Sequence, residues 1–184
     1  SASSFLDYYY GGWQELFPNS GANCTYRGAE LGVHGEACKV PWSWRVAEET
    51  PERISIQLWV RMVRTPFLLE KKLTLEKDRA TLFIDEMVTN EASDAVEFVW
   101  GHHPTLGAPF LSGDCRIFTP ARMVETDASN VFLLPNQCSK SYPLIQTTKG
   151  ESFDLSRILP SSARVTIQAC LSQLTEGWYA VTNS

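Results

Sequence analysis

The residues of this chain best suited to proton transfer near neutral pH are its three histidines, His34, His102 and His103. Each sits in a segment punctuated by Gly and Pro: LGVHGEACKVPW around the first, VWGHHPTLGAPF around the other two. A neighbouring glycine lets backbone approach a ligand closely. Pro104 fixes the chain after His103 and biases His103 towards an extended conformation. Two imidazoles in such segments suit general acid–base work or the orientation of a polar substrate. A metal centre is the competing use. Adjacent side chains on an extended chain point to opposite faces, however, so His102 and His103 do not chelate one ion together. His34 and one of them, with a carboxylate such as Glu36, make a thin ligand set. The expectation is that no metal and no cofactor take part.

Tryptophan is the second chemical signal. Trp13, Trp42, Trp44, Trp59, Trp100 and Trp178 are spread along the chain. Indole rings pack cores and sheet interfaces, and they also stack on the apolar C–H faces of sugars. Trp13 and Trp42 lie nearest the glycine-rich segments and are the candidates for a binding wall. The sequence contains no Gly-x-Ser-x-Gly elbow, no P-loop and no Rossmann fingerprint, so nothing in it supports those hydrolase and nucleotide classes.

These residues need a scaffold, and its signature is period two. At 54–62 the set Ile54, Ile56, Leu58, Val60, Met62 alternates with Ser55, Gln57, Trp59, Arg61, which predicts a half-buried strand. Further strands are expected at 67–77, 81–89, where Glu86 interrupts the apolar face, and 95–100. Weaker ones follow at 116–119, 164–170 and 178–182. Residues 1–50 read as irregular, and 133–146 and 152–162 as loops. No helical stripe of useful length occurs. The fold class expected is all-β, an antiparallel β-sandwich forming a single domain over 1–184.

Composition narrows the partners. Sixteen basic residues stand against 21 acidic ones, for a net charge of -5, with no basic block; neither a nucleic acid nor an anionic membrane is expected as a partner. No apolar run is long enough to span a bilayer, and SASSFLDYYYGG has neither the basic nor the apolar region of a signal peptide. Five cysteines, with no C-x-x-C pair, read as isolated thiols in a reducing compartment, so a cytoplasmic location is expected.

Three stretches resemble aldose 1-epimerase (galactose mutarotase-like) proteins. GGWQELFPNSGANCTYRGAELGVHGE is similar to the run that leads to a His-Gly pair in that family. EFVWGHHPTLGAPF is similar to its second histidine motif, and LTEGWYAVTN to a strand near the end of its domain. The resemblance implies a galactose mutarotase-like supersandwich and an isomerase that interconverts sugar anomers, acting on a monosaccharide or sugar derivative. It implies His103 as the acid that protonates the ring oxygen and His34 as the residue that orients or stabilises it. Arg27, Glu36, His102 and Trp13 flank them and are the expected substrate contacts. The family's general base lies beyond the region matching GWYAVTN, and no motif assigns Glu15, Glu36 or Asp85 to that role. The expectation is therefore a domain truncated at both ends, with exposed sheet edges that a homodimer would cover. The other reading is a non-catalytic carbohydrate-binding relative lacking the base.

Overall fold

The computed structural model describes residue 7 and residues 9–140 and 142–183; most of the segment read for a leader lies outside the described residues. The architecture is all-β, and every strand pair is antiparallel. The chain gathers into two compact units, up to Thr105 and from Leu106 onward, where the sequence reading has one domain.

The first unit contains β1 (Trp13–Leu16), β2 (Cys24–Tyr26), β3 (Ala29–Leu31), β4 (Ser43–Glu49), β5 (Arg53–Arg61), β6 (Phe67–Glu76), β7 (Leu82–Asn90) and β8 (Gly101–Pro104). Strands β4 to β7 form a meander in sequence order. Its register aligns Val60, Leu69 and Val88 in one row and Leu58, Lys71 and Glu86 in the next. The alternation of 54–62 is what makes this sheet two-faced. Val60 and Met62 join Phe17, Ala37, Phe67 and Leu69 in a buried cluster, with Trp42, Val88 and Trp100 packed against it. Phe17 meets Phe67 edge to face at 5.1 Å. The far end of the same face, Ile54, Leu75 and Leu82, remains 41–49% exposed.

Two expectations are corrected here. Residues 43–49 form a strand although SWRVAEE carries little apolar signal. β4 is an edge strand, largely exposed and bulged between Val46 and Glu48, so its pattern is diluted by solvent-facing side chains. Residues 95–100 are not a strand; β8 begins at Gly101. Their backbone groups are met irregularly instead. The Val99 amide donates to Pro18 O at 2.8 Å, the Glu97 amide donates to the Tyr26 hydroxyl at 3.1 Å, and Ala95 O accepts from Arg27 at 2.8 Å.

The second unit contains β9 (Arg116–Phe118), β10 (Met123–Thr126), β11 (Cys138–Ser139), β12 (Leu144–Gln146), β13 (Ser152–Asp154), β14 (Ala169–Ser172) and β15 (Ala180–Thr182). They form a β11-β10-β14 sheet, a β12–β13 hairpin and a β9–β15 pair around Val124, Leu133, Ile145 and Leu155. The spans 133–146 and 152–162 thus carry short strands where loops are expected, and the strand expected at 164–170 begins only at Ala169. Among the described residues no helix is long and apolar enough to cross a membrane, and all five cysteines are free thiols.

Candidate functional site

The β1–β8 ladder positions the histidines. Glu15 lies opposite His102 and Gln14 opposite His103. Side chains alternate across a strand, so the ladder presents His102 on one face and His103 on the other. His34 reaches the second face from a tight loop. Gly35 makes that loop possible: its backbone bridges Phe17 in parallel, and a Cβ there would lie 2.2 Å from Phe17 O, at a φ of +79°. The Glu36 and Ala37 amides both donate to that same carbonyl, at 2.9 and 3.1 Å. His34 itself is left-handed, φ 60°. A non-glycine residue in that region is strained and persists only where its surroundings hold it.

On this face the His34 and His103 rings approach to 5.6 Å between centroids. The Tyr9 ring stands edge-on to His103 at 5.3 Å, and its hydroxyl bonds that of Thr105. Gly21 and His34 exchange two hydrogen bonds: the His34 amide donates to Gly21 O at 3.0 Å, and the Gly21 amide donates to His34 Nδ1 at 3.1 Å. A backbone amide can only donate, so Nδ1 is a lone pair and Nε2 carries the ring proton. Burial, then His103 and Lys39, lower the His34 pKa below its ordinary value. The Cys38 thiol points at His34 O, 3.7 Å away; burial raises its pKa, so it acts as a protonated donor rather than a nucleophile. The pair therefore offers one neutral imidazole with an Nε2–H donor beside the imidazole of His103.

The other face is a closed network. Trp13 Nε1 donates to His102 Nδ1 at 2.8 Å, which leaves the His102 proton on Nε2, 2.9 Å from Glu86. Lys71 bridges Glu86, at 2.9 Å, and Glu15; Trp100 Nε1 also donates to Glu15. Glu15 is 4% exposed, so its charge depends on these partners. Glu15, Glu86 and His102 form the one described group with metal-ligand spacing. A cation there would have to displace the Lys71 ammonium, which already contacts both carboxylates, and the proton that the Trp13 N–H holds on the His102 nitrogen facing them. Beside the network lies a cleft of about 340 Å³, walled by Trp13, Trp42, Leu58, Leu73 and Ile84.

Of the residues expected at the site, the structure brings together His34 and His103. The other four it places elsewhere. His102 and Trp13 face the opposite side of the ladder, bonded to each other. Glu36 is buried, its carboxylate accepting from the Val63 and Arg64 amides and the Thr65 hydroxyl at 3.0–3.2 Å; it fixes the β5–β6 connection. Arg27 occupies the β2–β3 turn with φ 49°, and its guanidinium is bonded to Ala95 O. The sequence reading missed Lys71 and Glu86 as a unit. The charged interruption of an apolar strand face by Glu86 is the signal that marks it, since a carboxylate there needs a buried partner.

Comparison with protein-family models, curated proteins and solved structures finds no match to this chain.

Proposed function

We propose that the His34–His103 face is a sugar site and that the chain is an aldose 1-epimerase-like isomerase, opening and reclosing the pyranose ring. The observation that carries this reading is the 5.6 Å approach of the two imidazoles from Gly- and Pro-flanked segments, with His34 fixed as a neutral donor. Ring opening breaks C1–O5: a base takes the anomeric hydroxyl proton while an acid protonates the ring oxygen. A neutral imidazole whose Nδ1 is already occupied is a weak acid and a good orienting donor, so His34 holds a sugar oxygen through Nε2–H. His103 delivers a proton to O5 while water takes the anomeric hydroxyl proton, and both transfers reverse on reclosure. Rotation about C1–C2 of the open aldehyde then lets the ring close on either face.

One observation favours a second reading, a carbohydrate-binding module without turnover. Glu15 and Glu86, the carboxylates beside the ladder, are tied to Lys71 on its other face and do not serve as the base. Two-dimensional exchange NMR on a panel of aldoses separates the readings. Catalytic amounts of protein that produce α/β exchange cross-peaks support the isomerase. Line broadening of the sugar without faster exchange supports the binding module. Neither effect with any aldose removes both.

A further inference from the structure

Asn19 is 7% exposed and stands where two loops meet. Its Nδ2 donates to Ala22 O at 3.3 Å and to Gly32 O at 3.0 Å. One amide nitrogen thus staples the loop following Pro18 to the loop that carries His34. The staple brackets the two reciprocal bonds between Gly21 and His34. Gly21 lies between Asn19 and Ala22, and Gly32 lies two residues before His34. The Asn19 Oδ1, in contrast, is buried without a hydrogen-bond partner. An unsatisfied buried acceptor costs stability, so an amide is a poor choice here for folding alone. What the position uses is a short side chain with two N–H donors on one atom, and asparagine is the residue that supplies them at that length.

We propose that Asn19 is a positioning residue that sets the tautomer of His34. By holding Gly21 against the histidine loop it keeps an amide N–H on Nδ1, and this keeps the proton of the neutral ring on Nε2. The same latch holds His34 in its left-handed conformation beside His103. The tautomer assignment stands on geometry alone; its catalytic consequence rests on the ring-opening reading.

The test is 15N NMR of histidine-labelled protein, full chain, with Asn19→Asp as the variant. Aspartate is nearly isosteric but turns a carboxylate towards two carbonyls, so the latch opens. In the unmodified protein, His34 is expected to show one unprotonated and one protonated ring nitrogen, with Nδ1 the unprotonated one. In Asn19→Asp the two 15N shifts, recorded well above the His34 titration, converge, and the His102 signals hold. Anomer exchange, where present, falls about 10- to 100-fold, the scale of a displaced catalytic group. A His34 proton on Nδ1 in the unmodified protein overturns the proposal without any variant, and so do His34 shifts indifferent to Asn19→Asp. If the shifts respond but no protein accelerates anomer exchange, the positioning role stands and the isomerase reading falls.

Discussion

His102 and His103 are neighbours on one four-residue strand, yet they face different electrostatic worlds. His102 enters a network of Trp13, Glu15, Lys71 and Glu86, in which one ammonium serves both carboxylates and the Trp13 bond to Nδ1 holds the imidazole proton on Nε2, towards Glu86. His103 meets a second imidazole and an aromatic edge. Strand alternation sends the two side chains to opposite faces; what lies on each face then decides what each imidazole can do. The network face is built to hold charge still. In the proposed reading, the paired-imidazole face is the one that lets a proton move. A histidine's identity as a residue type says little until its two ring nitrogens are accounted for separately.

Breaking the active face should produce the largest effect. His103→Ala is expected to lower anomer-exchange rates by ~10²–10⁴-fold, the usual contribution of a general acid, with sugar affinity falling less. Rate and affinity measured separately, by exchange NMR and by titration, check this. The network face should answer in stability instead. Lys71→Met leaves buried Glu15 and partly buried Glu86 without their shared cation, a loss of about 3–5 kcal/mol, read by urea denaturation. A marked loss of anomerisation in Lys71→Met with unchanged stability would invert the comparison.

Acid should act on the paired face by a smaller amount. The His34 pKa is lowered in the folded protein, so below its ordinary value near ~6.5 the unfolded chain binds the proton more readily. Stability from this group is fully present above that pH and is lost as pH falls through the lowered folded value. Denaturation midpoints measured from neutral pH downward should decline in the unmodified protein more steeply than in His34→Gly. That variant is also the smallest expected change at neutral pH. Glycine accepts φ 60° without strain, which offsets the lost Nδ1 bond, so stability should stay within about 1 kcal/mol. Anomerisation should drop while the fold persists, the mark of a residue held in strain for function.

The meander was the readable part of the fold. Alternation at 54–62, 67–77 and 81–89 matches β5, β6 and β7 because these long strands have one face buried along part of their length. β4 escaped because an edge strand shows its polar side chains to water. Residues 95–100 misled because apolar residues there join the core through Val96 and Trp100 while their amides bond to loops. In the second unit strands of two to four residues are too short to display a period. At the site, glycine and proline spacing pointed to His34 and His103. The partners of His102 were not readable together, since Glu15, Lys71 and Glu86 come from three different strands and only the register aligns them. Glu36 and Arg27 stood out because they are charged residues beside a histidine; in the fold Glu36 accepts from the Val63 and Arg64 amides and the Thr65 hydroxyl, and Arg27 donates to Ala95 O.

The most direct test of the central claim, that the sugar site lies on the His34–His103 face, is a titration of histidine-labelled protein with an aldose, following all three imidazoles by NMR. Shifts at His34 and His103 with His102 unmoved are the result predicted. A response at His102 with His34 and His103 silent would put the site on the network face and contradict the account.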